Sequence, residues 1–320
     1  MRSPALATVL LLCSALWAAD APTLRQIMAL PSGVRVNFVA LSPAGNLVAA
    51  ICSDHQIRLW DGASGALKAT LNLGGENPTV VQFSPGGELL GGGGWHGNLR
   101  VWNSSGALQH EYKFPARIDA LAFAPKLDTI AVAPSELPLE VRTLAEGKLL
   151  ASFPANFSGS IAIAFSPDGR WLASADSDTE VRVIDTAKLA LHARSTDLLV
   201  EPLSVVFSSD SSRLNVGTAD GVLNVINPDN GKVAKRFPRQ AGVVYALCAS
   251  PDGRSLTGAY YNPDQVSAPA KIMVWDTSSA TLRASVPPPD SGFTGGAYLP
   301  DGTLVLTSGV SKELKLWSYR

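Results

Sequence analysis

Residues 161–185 begin Ile161-Ala162-Ile163-Ala164-Phe165, turn at Ser166-Pro167-Asp168-Gly169, and continue through Trp171-Leu172-Ala173-Ser174-Ala175 to Val181-Arg182-Val183-Ile184-Asp185. The first run is apolar and suits a buried inner strand. Proline presets φ, and Asp-Gly favours a tight turn, so Ser-Pro-Asp-Gly reads as a hairpin. A second strand follows, then a polar turn at Asp176-Ser177-Asp178-Thr179. The next run alternates apolar and polar residues, the period-two sign of a half-buried strand. After a short polar turn, Leu189 to Ala193 reads as a fourth, outer strand.

This unit recurs along almost the whole chain. Aligned on its serine, it falls at Ser42, Ser84, Ala124, Ser166, Ser208, Ser250 and Leu299, in steps of 42, 40, 42, 42, 42 and 49 residues. A period of roughly 40–45 residues is the length of one four-stranded propeller blade. Seven copies predict an all-β, seven-bladed β-propeller of four-stranded antiparallel blades. The third-strand signature returns in phase, at Ile57-Arg58-Leu59-Trp60-Asp61, Leu99-Arg100-Val101-Trp102-Asn103, Leu223-Asn224-Val225-Ile226-Asn227, Ile272-Met273-Val274-Trp275-Asp276 and Leu314-Lys315-Leu316-Trp317. Here, over about residues 24 to 320, the chain resembles the WD-repeat (WD40) β-propeller family. The third copy, Leu139-Glu140-Val141-Arg142, keeps the strand pattern without the tryptophan.

The seven repeats point to a closed ring that binds rather than catalyses, while the resemblance implies the architecture and no particular function; in the family an Asp before the third strand joins a network with His, Ser or Thr, and Trp. This chain keeps that Asp at Asp54, Asp178 and Asp220. The matching positions elsewhere are His96, Glu136, Pro269 and Ser311, and no Gly-His pair precedes an inner strand. Stability is therefore expected to rest more on apolar packing between blades.

The chain ends three residues after Trp317, before an outer strand for the seventh blade. Pro22-Thr23-Leu24-Arg25 closely matches Ala280-Thr281-Leu282-Arg283 of the sixth outer strand. Residues 23–30 are thus expected to complete the last blade and close the ring, leaving no unpaired radial edge. Upstream, Arg2 precedes the uncharged run Ala5–Ala19, whose 15 residues are short for a span of ~20. This pattern predicts a secretory signal peptide over 1–19, a propeller domain over 20–320, and a secreted or periplasmic protein with no integral span after cleavage. Cys52 and Cys248 lie in non-adjacent repeats and read as isolated buried thiols.

Net charge is -1 among 320 residues, with no basic run, which argues against a nucleic-acid footprint. No catalytic constellation stands out. His110 and His192 fall in outer strands. His55 and His96 occupy equivalent turns of neighbouring blades without the three or four ligands that a metal needs. Asp176, Asp178 and Glu180 lack the glycine and distal Glu of a calcium loop. Gly91 to Gly94 open no helix and so make no phosphate cradle. Neither a metal nor a cofactor is expected, and a monomer is.

A partner site is expected on the face shared by the connections from fourth to first strands and the turns between second and third strands. Trp95-His96-Gly97 puts a large aromatic in one such turn. The 49-residue step inserts a loop in another, from Tyr260 and Tyr261 to Pro269. Long loops and aromatic side chains concentrate binding energy. Alignment adds Arg35, Asn77 and Arg117 at the channel mouth, with Tyr245 and Phe293 on the opposite arc. The expected function is a non-catalytic, exported interaction scaffold binding a protein partner through Arg35, Trp95, His96, Arg117, Tyr245, Tyr260, Tyr261 and Phe293. The alternatives are an envelope-assembly accessory protein of the periplasm, or a propeller enzyme such as a lactonase or a quinoprotein dehydrogenase.

Overall fold

The computed structural model describes residues 23–126, 128–154, 160–261, 271–286, 293–310 and 313–319. They form seven four-stranded antiparallel sheets arranged as a closed ring. Within each of the first six blades the four strands follow chain order from the inner to the outer edge. The fourth blade, for example, comprises Ser160–Phe165, Trp171–Asp176, Val181–Asp185 and Ala190–Ser195. The seventh blade takes Phe293–Tyr298, Leu304–Val310 and Glu313–Tyr319 from the end of the chain and Thr23–Ala29 from its beginning. Thr23 pairs with Ser318 and Ala29 with Glu313, so the expected closure by the N-terminal strand is present. Met28 in that strand is fully buried against the first and last blades.

The recurring serine closes each hairpin chemically. In five blades its hydroxyl accepts the backbone N–H five residues later, at Leu47, Leu89, Trp171, Arg213 and Ser255. The same hydroxyl donates to Asp168, Asp210 and Asp252 in the three copies that carry Asp two residues on. One short side chain thus substitutes for water at a turn that the ladder cannot reach.

The apolar core lies between blades. Among the described residues it divides into seven clusters, each spanning one pair of neighbouring blades. Second strands are almost wholly buried, as at Leu47–Cys52, whereas outer strands such as Leu108–Lys113 are mostly exposed or half-buried. The polar network is correspondingly thin. Asp54 pairs with Arg58, and Asp220 accepts a bond from the Thr218 hydroxyl at 2.6 Å. In the fourth blade the buried acid is Asp176 rather than Asp178. It accepts from the Ser160 hydroxyl at 2.7 Å and lies 2.7 Å from the Arg182 guanidinium. Cys52 is buried and Cys248 half-buried, and both are free thiols.

Candidate interaction face

A constant offset of 18 residues builds one face of the ring. Ser53, Trp95, Ser135 and Ala219 donate their N–H groups to the carbonyls of Arg35, Asn77, Arg117 and Glu201, at 2.7–2.9 Å. In the sixth blade the same offset pairs Val243 with Tyr261 in the ladder. In these five blades the connection entering the blade is therefore tied to the end of that blade's second strand or the turn that follows it.

Every inner strand carries a register irregularity at its second or third residue, between Val36 and Phe38, Pro78 and Val80, Ile118 and Ala120, and at the matching places in the other four blades. The extra residues include Asn37, Thr79, Asp119 and Tyr245. A bulge bends its strand and re-aims the inserted side chain, and here one stands near the start of every inner strand.

Trp95 is held outward by a buried carboxylate. Glu76 is 6% exposed, and its oxygens accept the backbone N–H of His96 and, at 2.9 Å, that of Asn98. Gly94 leaves room for it, since a β-carbon there would lie 2.7 Å from the Glu76 carboxyl group and push it aside. The turn is thus fixed while the Trp95 ring remains 51% exposed. The Arg117 guanidinium lies over that ring, 4.9 Å from its centroid. Asp119, the bulge residue two positions on, accepts from Arg117 Nε at 2.5 Å, which orients the guanidinium and raises its pKa. A hydrogen-bonded cation over an exposed indole is worth about 0.5–1 kcal/mol and presents a flat, charged surface.

The structure brings Trp95, His96 and Arg117 together and leaves Arg35 exposed on the neighbouring blade. The His96 imidazole is mostly solvated, with Nδ1 3.7 Å from Glu76. Tyr245 is 38% exposed at its bulge, and burial of the rest of the ring pushes its phenol pKa up. Tyr261 is half-buried. Tyr260 departs from expectation, because it is only 2% exposed and its hydroxyl accepts from Trp275 Nε1 at 3.1 Å. Period-two alternation past the end of the expected strand carries it into the core. Phe293 pairs with Ser308 in the seventh blade, and its side chain lies outside the described residues, as does the insertion 262–270.

Two exposed apolar residues join this face without having been singled out in the sequence. Leu199 is 90% exposed in the connection entering the fifth blade, and Phe38 is 45% exposed on the first inner strand. The signals were there: Leu198-Leu199-Val200 is an apolar run in a connection, and Phe38 stands where the other six repeats have Val80, Ala120, Ala162, Ser204, Ala246 and Gly295. Among the described residues, no group of three or more His, Cys, Asp or Glu side chains is arranged to hold a metal ion. No helix among them is long and apolar enough to cross a membrane.

Comparison with known proteins supports the WD-repeat resemblance. Residues 26–61 and 147–185 match the family model described as WD domain, G-beta repeat. The chain is 23% identical over 199 residues to THO complex subunit 3 of Arabidopsis thaliana, covering 62% of this chain and 63% of that protein. It is 31% identical over 122 residues to the Periodic tryptophan protein 2 homolog of Schizosaccharomyces pombe, covering 37% and 14%. With Protein groucho of Drosophila melanogaster it shares 25% over 213 residues, covering 64% and 28%. The chain spans less than two thirds of the length of each of these relatives.

Proposed function

We propose that this chain is a non-catalytic WD-repeat scaffold that binds a protein partner on the face bearing Trp95, Arg117, Tyr245, Phe38 and Leu199. The observation that carries this reading is the exposure of four large apolar side chains on one rim whose loops are pinned by backbone hydrogen bonds. Tryptophan, tyrosine and arginine dominate the energy of protein interfaces, and a rigid scaffold holds them without an ordering cost on binding. The name of the Arabidopsis relative, a complex subunit, is in keeping with such a role. The proposal includes export, on the strength of Arg2, the apolar run Ala5–Ala19 and the small residues that follow it.

The test compares the wild-type chain with a Trp95→Ala, Leu199→Ala double variant in pull-downs from the envelope of an exporting cell, read by mass spectrometry. Both side chains are exposed, so the melting temperature is expected to stay within about 1–2 °C, while proteins retained by the wild type are lost from the variant. An identical set of captured proteins from both would reject this face. N-terminal sequencing of the exported chain, expected to begin near residue 20, tests the leader separately.

A further inference from the structure

Six of the seven blade interfaces receive a large side chain at one third-strand position or from the wall facing it. Trp60, Trp102, Trp275 and Trp317, each from the third strand, pack against the preceding blade. At the interface of the fourth and fifth blades this position is Ile226, and Trp171 of the fourth blade supplies the missing bulk from the other side. Between the second and third blades the position is Arg142, which lies over the Phe114 ring at 5.2 Å, with Tyr112 packed beside it. Between the third and fourth blades neither side supplies such bulk. The tryptophan position is Ile184, and the residue matching Trp171 is Thr129. A cleft of about 470 Å³ opens there, walled by Val141, Leu150, Phe165, Leu172, Ile184 and Leu189. It lies on the face of the Ser-Pro-Asp-Gly turns, opposite the proposed interaction face, and is independent of it.

The charges at the mouth of the cleft are unequally committed. Asp168 accepts from the Ser166 hydroxyl at 2.6 Å and from the Arg170 N–H at 3.0 Å. Asp128 accepts from the Thr129 hydroxyl at 3.3 Å. Arg170 stacks on Trp171 at 4.2 Å and reaches Asp229 at 3.5 Å. Lys126 is exposed and forms no ion pair among the described residues.

We propose that this cleft binds a small aromatic carboxylate. The ring takes the volume that an indole fills at the sister interfaces, and the carboxylate meets the Lys126 ammonium. The cleft is of a size that suits small ligands, with an apolar wall and few polar groups at its rim. Indole-3-acetate is the probe and indole-3-acetamide its neutral control, titrated into the whole chain by calorimetry and ligand-observed NMR. Saturable binding of the acetate is expected. The acetamide, and the Lys126→Ala variant with the acetate, should bind roughly tenfold more weakly, the value of one charge-assisted contact. Ile184→Trp fills the cleft and should abolish binding, and Thr129→Trp does so from the opposite wall if the first variant fails to fold. Absence of saturable binding, equal binding of acetate and acetamide, or undiminished binding in a folded filled variant would each overturn the proposal.

Discussion

Arg182 and Asp176 are the most consequential polar pair in the ring, because both are almost completely buried in the fourth blade. A buried charge left without its partner is far costlier than a broken surface pair. Arg182→Met should therefore destabilise the protein by about 3–5 kcal/mol in urea unfolding. The surface ion pair of Arg170 and Asp229 should contribute less than about 1 kcal/mol by the same measurement. The turn aspartates make a different prediction. Hydrogen bonds from Ser208 and Ser212 hold the Asp210 carboxyl down at about 2, and Ser250 lowers that of Asp252. A carboxyl depressed by folding contributes stability that is fully present above its unfolded value, near 3.9, and is lost as pH falls through its folded value. Stability should accordingly fall between about pH 4 and 2, and Asp210→Asn should show a shallower fall in acid titrations followed by circular dichroism.

At the scale of single elements, the strand Thr23–Ala29 carries the closure of the ring. Without it, Glu313–Tyr319 would become an exposed outer edge, and Leu314 and Leu316 would lose the cover of Met28. Deleting residues 23–30 should broaden the unfolding transition and promote aggregation through the open edge. A truncated protein that melts as sharply and at the same temperature as the intact one would contradict this role. Most of this element was legible in the sequence, since Thr23-Leu24-Arg25 matches Thr281-Leu282-Arg283 of an outer strand. The blades were legible for the same reason: period-two alternation and turn residues are local signals that repeat seven times. Tyr260 differs because the extra length of the sixth step does not show how far the second strand runs, and the ladder continues through Tyr261. Its ring reaches along the core to Trp275 of the adjacent strand, whose Nε1 donates to the Tyr260 hydroxyl. Glu76 was equally invisible, since its partners are backbone groups 20 and 22 residues away.

For the whole molecule, closure predicts a hierarchy of protection. Second strands such as Leu47–Cys52 and Trp171–Asp176 are buried throughout and hydrogen-bonded on both sides. Their amides should exchange only through global unfolding and share one slow rate class in hydrogen-exchange mass spectrometry, whereas outer strands such as Leu108–Lys113 should exchange sooner. The order of 42-residue steps determined the blade count, the four-strand unit and the joining of the two ends, because each rests on spacing and alternation within one stretch of chain. Packing around the ring decided the rest. Only the tertiary structure sets Arg117 over Trp95 from the next blade, leaves Leu199 and Phe38 uncovered, and opens a cleft where Ile184 and Thr129 face one another. Those features depend on which side chains from different repeats meet, and distance along the chain does not encode that meeting.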